Sequence, residues 1–527
     1  MLELQAMSTP RVRLAEITGA LTLAIDLAFG QSGGLAAGDE HVVRTCLLAL
    51  RLADRLELSD EDRQILYWVG QLRFVGCTGH AHEVSQLVGD EVAARADSLT
   101  LDTGSPAAVF RWVATHAGAG VGGVESVYRV ARAVAAGRRA ASDSFRAGCE
   151  VGRMLTERLE LPSPVATALG YAFERWDGRG FPAGAHGEEI PAAMRIVQVA
   201  QEVEVFARAG GDELAAAMAR RRAGSAYDPH VAALVAGHAA ELLDGLGVPS
   251  AWDALLAAEP GVPRHVPTDR LEACLLVLAD FADLKSPYTP GHSRAVADLV
   301  STAAVGVGLP ASEAALLRQA ALVHDLGRTA VPNSIWDKPG ALSDSERERV
   351  RLHPYHGERV LARTALAPAA RLAGTHHEQP DGGGYHRGLS GARLGLPERL
   401  LAAADAYQAL TQPRAWRRAR TPVEAAAVLR DLAAAGQLDA RAAHAVLAAA
   451  EGRGPARRRM PGNPADLTDR EVDVLRLLAR GLTNRQIAAE LVLSPKTVGH
   501  HVERAYAKAG VSTRGAASLW CAEHGLV

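Results

Sequence analysis

ERWDGRGFPAG at residues 174–184 and EQPDGGGYHRG at 378–388 are two versions of one glycine-rich turn, and their echo decides how the chain is read. Counted from the aspartates Asp177 and Asp381, an arginine falls 18 positions later in both, at Arg195 and Arg399. Each arginine opens a similar segment, RIVQVAQEVEVF in the first and RLLAAADAYQAL in the second. Upstream, His41 precedes Arg73 by 32 positions, and His292 precedes His324 by the same interval. Matched offsets at both ends indicate a duplicated unit, over roughly 30–245 and 268–450. Apolar residues recur with a helical period almost throughout, and no run alternates as a strand does. The expected fold class is therefore all-α.

The 527 residues predict three or four domains. Hydrophobic residues at 48% and charged residues at 22% allow each domain an ordinary core, which excludes disorder for most of the length. No stretch approaches the roughly 18 apolar residues of a membrane span. The start, MLELQAMSTPRVRLAEITG, lacks the basic and apolar regions of a secretory signal. Five scattered cysteines without C-x-x-C exclude a disulfide framework and a thiolate zinc knuckle, and suit a reducing compartment. The expectation is a cytoplasmic protein with no membrane partner. A net charge of −3 excludes polyanion binding by the whole surface. Gly/Pro-rich stretches at 245–270 and 451–466 read as joints, which sets expected domains at 1–250, 265–450 and 466–527 with a linker at 451–465.

The copies differ in one consistent way. His324, Asp325, His353, His376, His377 and Asp405 in the second stand opposite Arg73, Phe74, Gly148, Ala172, Phe173 and Gln201 in the first; only His41 survives, opposite His292. The first copy keeps the glycines and the apolar pattern, so the lost side chains serve something other than the fold. Asp405 lies in an Ala- and Leu-rich helix, where burying a carboxylate costs several kcal/mol unless it is paired or bound to a cation. Imidazoles and carboxylates without thiolate suit Fe, Mn, Ni or Zn, and an aspartate can bridge two ions.

These residues carry a resemblance. His324-Asp325, His353-x-x-x-Gly357 and HHEQPDGGGY at 376–385 resemble the signature of the HD-GYP phosphohydrolases, as do PYTPGH before the first motif and DAYQAL after the last. The resemblance covers residues 280–412 densely. It implies tandem HD-like helical bundles, the first degenerate and non-catalytic, and two divalent metal ions, iron or manganese. It also implies hydrolysis of cyclic di-GMP or a related phosphorylated nucleotide. By position, His292, His324, Asp325, His353, His376, His377 and Asp405 would be the metal ligands, with Asp325 bridging and catalytic. Arg328 stands where the family usually has a lysine that contacts the substrate phosphate. Asp381, Gly382, Gly384 and Tyr385 would touch substrate. Tyr288, rather than an acid, stands four places before His292, which implies two metals rather than three. His386 replaces the family's proline and Gln408 its aspartate, so a metal- or nucleotide-sensing protein without turnover stays open as an alternative.

Residues 467–527 carry a different signal. Thr468 with Glu471 forms a capping box, Asn484 is placed to cap RQIAAELVL, and Ser494-Pro495 starts the next helix. Two capped helices joined by a short turn predict helix-turn-helix geometry. The segment resembles the LuxR-type DNA-binding domain, which implies a four-helix module, a recognition helix at 495–508 and a homodimer on DNA. Gly499, His500 and Glu503 would face bases; Lys496, Thr497, Arg504 and Lys508 would contact backbone, with Arg457, Arg458 and Arg459 as a basic arm. The whole reads as a transcriptional regulator carrying a phosphodiesterase.

Overall fold

Every regular element in the computed structural model is a helix; among the described residues only isolated bridges occur and no strand. The described residues are 12–30, 40–119, 122–248, 250–452 and 463–527, so the basic arm at 457–459 lies outside them. Among the described residues no helix is long and apolar enough to cross a membrane.

The duplication is visible atom by atom. His41 and His292 each begin a helix, His41–Arg55 and His292–Gly306. Arg73 and His324 each cap the C-terminus of the helix that follows, and each copy then continues in a short 3-10 turn, Val75–His80 and Leu326–Ala330. Gly76 and Gly327 sit in those turns. A Cβ on Gly76 would collide with the Gly148 carbonyl and the Gly152 amide; one on Gly327 would collide with those of His353 and Gly357. The same contact in both copies therefore pairs Gly148 with His353. Past the glycine-rich turns, the buried Glu174 accepts the amides of Ala183 and Gly184, and the buried Glu378 accepts those of Arg387 and Leu389. The arginines that opened the comparison do the same job as well: Arg195 binds Asp228 at 2.5 Å and Arg399 binds Asp439 at 2.7 Å.

Two helices cross between the copies. Leu14–Ala28 packs on the Leu326–Ala330 turn of the second copy as well as on its own neighbours, and Leu271–Asp283 packs on Gly123–Arg158 and Val75–His80 of the first. Apolar side chains from both copies and from the C-terminal module join one continuous core.

The C-terminal module has four helices, Asp469–Ala479, Asn484–Leu491, Pro495–Ala509 and Arg514–Glu523. Thr468 and Ser494 cap as expected, each accepting an amide three residues on. The second cap is Thr483 rather than Asn484: the threonine hydroxyl accepts from Gln486 N, and Asn484 is already helical. The last helix is buried against the first copy, where Gly515 abuts the Gly79 carbonyl and Glu150 accepts from Ser512 N at 2.6 Å and Thr513 Oγ1 at 2.6 Å. Gly481 meets Pro287, and Val527 meets Gly291, both on the loop that precedes His292.

Candidate functional site

Backbone carbonyls at helix ends set the chemistry of the cluster. His324 Nδ1 lies 2.7 Å from Ala321 O, His353 Nδ1 2.7 Å from Val350 O, and His376 Nδ1 2.7 Å from Ala373 O. A carbonyl only accepts, so each Nδ1 carries a proton, and in the neutral ring that leaves the lone pair on Nε2. Those lone pairs turn toward one another: His353 Nε2 and His376 Nε2 are 3.0 Å apart, and the buried His324 Nε2 has no hydrogen-bond partner. Neutral imidazoles cannot satisfy such an arrangement among themselves. A cation can, and backbone-oriented histidines of this kind are how proteins hold metals.

Asp325 stands between two groups of donors. Its Oδ1 is 3.5 Å from His353 Nε2 and 3.8 Å from His376 Nε2; its Oδ2 is 3.6 Å from His324 Nε2 and 3.8 Å from His292 Nε2. Asp405 Oδ1 lies 3.0 Å from His292 Nε2, and its Oδ2 lies 3.9 Å from His377 Nδ1. His292, His324 and Asp325 converge as one potential ligand group; His353, His376 and His377 form another. The seven expected ligands thus come together from five separate segments, and all are buried except the half-buried His377.

Burial would raise the Asp325 carboxyl, but the Arg328 charge and the neighbouring imidazoles hold it well below the usual range. Burial would likewise raise Asp405, and its hydrogen bond from His292 reverses that. Burial pushes His377 down to about 4 and His376 well below its ordinary value, each assisted by its histidine neighbours. Ionised carboxylates and neutral imidazoles are the states that bind metal.

The first copy shows what replaces a cation. Arg73, at the position of His324, donates to Gln201, at the position of Asp405, and to the carbonyl of Ala172, at the position of His376. Burial lowers its pKa to about 10. A fixed guanidinium fills the cage, and His41 turns to Glu204 at 2.5 Å.

A cavity of about 590 Å³ opens beside the cluster. Arg328 enters it, tethered to Asp325 Oδ2 at 3.1 Å and lying 3.9 Å over the Trp336 ring. Tyr385 also lines it, whereas Asp381, Gly382 and Gly384 do not. Each of those three has a local structural role. Asp381 accepts the Gly383 amide at 2.8 Å to close its own turn, Gly382 has φ +83°, and a Cβ on Gly384 would strike the Glu378–Gln379 backbone. Sequence reading missed Trp336 and Arg414. The latter is half-buried, donates to Tyr288 O at 3.0 Å and lines the same cavity, with partial burial and Arg328 lowering its pKa to about 10. Neither lies in a motif that marks it.

In the C-terminal module Lys496, His500, Glu503 and Arg504 are exposed on the Pro495–Ala509 helix, and Gly499 has open space around it. Thr497 gives its amide to Ser494, and His500 lies 3.6 Å from Glu503. Lys508 donates to Glu471 at 2.8 Å and to Asp466 O at 2.9 Å.

Residues 141–231 and 276–442 match the HD domain family, once in each copy, and 465–520 match the bacterial regulatory proteins of the luxR family. The chain is 30% identical to the 3'3'-cGAMP-specific phosphodiesterase 3 of Vibrio cholerae over 424 residues, which is 79% of this chain and 90% of that protein. It is 32% identical to the cyclic di-GMP phosphodiesterase response regulator RpfG of Xanthomonas campestris over 164 residues, 31% of this chain and 43% of that one. A crystal structure of a cyclic GMP-AMP specific phosphodiesterase from V. cholerae superposes with a TM-score of 0.57 at 25% identity, covering 84% of this chain and 98% of that one. The chain belongs to the HD-GYP family of metal-dependent phosphohydrolases. Its C-terminal module is a LuxR-type DNA-binding domain.

Proposed function

We propose that the chain cleaves a cyclic dinucleotide at a centre of two divalent ions, iron or manganese, and that it binds DNA as a cytoplasmic homodimer whose affinity depends on that site. The observation that carries the first part is the set of buried Nε2 lone pairs, fixed by backbone carbonyls, that converge on Asp325. His292, His324, Asp325, His353, His376, His377 and Asp405 would hold the ions, with Asp325 shared between the two groups. The ions supply Lewis acidity and a nucleophile that forms near neutral pH. Arg328 offers its planar fork to a phosphate oxygen, kept in place by Asp325 and by the face of Trp336. Arg414 brings a second cation to the same cavity, and Tyr385 lines it beside His377.

Relatives named for 3'3'-cGAMP and for cyclic di-GMP make these the two substrates to offer. The manganese-loaded protein should convert one of them to linear dinucleotide, and Asp325→Asn should abolish the product. Tight binding without product would instead support a nucleotide-sensing regulator. Dependence of DNA affinity on the site is supported by Arg158, which joins Asp280 at 2.6 Å to Glu523 at 3.1 Å, and by the seating of Gly481 and Val527 on the loop before His292. If the two are linked, nucleotide changes operator affinity, and operator DNA changes nucleotide affinity by the same factor. Equal operator affinity with and without nucleotide would refute the linkage.

A further inference from the structure

The degenerate copy braces the wall of the cavity beside the metal-ligand cluster from behind, although every residue that lines the cavity belongs to the second copy. Its Glu91, fully buried, accepts Lys285 Nζ at 2.7 Å, and both carboxylate oxygens accept the Asn333 amide at 3.0 Å. The Asn333 side chain in turn donates to the Lys285 carbonyl, which closes a ring of three residues. Lys285 immediately precedes Ser286, and Asn333 opens the short helix that ends at Trp336. A second contact reaches the same wall: His82 Nδ1 lies 2.7 Å from Asp337 Oδ2, while Ser286 Oγ donates to Asp337 Oδ1 at 2.6 Å. Ser286, Tyr288, Trp336 and Asp337 all line the cavity.

A buried lysine–glutamate pair adds little net stability, because desolvation offsets its attraction. It does fix geometry, since moving either partner leaves a charge uncompensated. The start of the His292 helix does not depend on this pair; Asp283 holds it by accepting Ser293 N at 2.9 Å and Ser293 Oγ at 2.8 Å. Glu91 and His82 therefore act on the wall around the substrate rather than on the ligand cage.

We propose that the degenerate copy is a positioning element of the catalytic site: Glu91 and His82 hold residues 285–288 and 333–337 so that Tyr288, Asp337 and the Arg328 guanidinium seated on Trp336 meet the substrate as a preformed wall. Neither Glu91 nor His82 touches the reacting atoms. The kinetic arm of the test rests on the phosphodiesterase reading; the exchange arm does not.

The full-length, manganese-loaded chain carrying Glu91→Ala or His82→Ala should show a KM for 3'3'-cGAMP raised about tenfold, with kcat within about twofold of the parent, as expected when preorganisation of a binding wall is lost. Glu91→Gln, which keeps an acceptor for the Asn333 amide, should recover part of the KM. Hydrogen exchange should quicken in 285–291 and 333–337 and stay at the parent level in 396–411. An unchanged KM in both alanine variants overturns the proposal, as does exchange that quickens over the whole chain. If Glu91→Ala does not fold, His82→Ala must still raise the KM, and a parental value there overturns it. If the parent chain cleaves no cyclic dinucleotide, the phosphodiesterase reading fails, while parental exchange in both segments would separately overturn the clamp.

Discussion

Replacing Trp336 by leucine removes an aromatic face and leaves an apolar side chain of moderate size. The guanidinium of Arg328 lies 3.9 Å above the ring, and the indole N–H donates to the Arg328 carbonyl at 3.2 Å. A cation over tryptophan contributes about 0.5–2 kcal/mol, depending on how far it is shielded from water. With Arg328 part-buried, loss of the face lowers kcat/KM by about 2- to 30-fold through a less ordered guanidinium. The assay is steady-state hydrolysis of the cyclic dinucleotide at equal metal content, arranged as a double-mutant cycle with Arg328→Ala. If Trp336 acts through Arg328, the two losses do not add, and Trp336→Leu costs little once Arg328 is gone. Losses that add within about 0.5 kcal/mol would refute the reasoning and assign Trp336 a role independent of the arginine.

Other perturbations follow from the same contacts. Arg73→Ala leaves the Ala172 carbonyl and the Gln201 side chain without their buried donor, so chemical denaturation should show a loss of about 1–3 kcal/mol with metal content unchanged. Burial lowers the His82 pKa, but Asp337 outweighs it and holds the group above its ordinary 6.5. Its contribution to stability is therefore full below 6.5 and lost as the pH rises through the folded-state value. The melting-temperature gap between parent and His82→Gln should shrink across that range, and a gap constant with pH would contradict it. Lys496→Ala should weaken binding to all DNA sequences alike and reduce the salt slope by about one; an unchanged slope would place Lys496 away from the phosphates.

Much of this was legible in the sequence for a physical reason. Metal donors must be histidine or carboxylate, and the first copy shows the same frame with those residues exchanged, so His324, Asp325, His353, His376 and Asp405 stood out against Arg73, Phe74, Gly148, Ala172 and Gln201. The offsets that paired the copies reappear as equivalent helix starts, caps and glycine contacts. What sequence could not carry was partnership across distance. Glu91 and Lys285 are 194 positions apart, and each alone reads as a solvated charge. Trp336 and Arg414 acquire meaning only from the cavity they share. Asp381, Gly382 and Gly384 stood out because they lie in the motif, and what the fold adds is their part in shaping the turn that carries Tyr385. The docking of the last helix on the first copy left no periodic trace, since it uses single groups far apart in sequence, among them the Gly79 carbonyl, the Glu150 carboxylate and the Arg158 guanidinium.

The central claim is that imidazoles and acids from distant helices enclose a pair of ions with Asp325 between them. Elemental analysis of the full chain purified after growth with iron or manganese, beside Asp325→Asn, tests it most directly. The account predicts about two equivalents bound per parent chain and a marked loss in the variant. A parent chain that retains no metal, or a variant that retains as much as the parent, would contradict it.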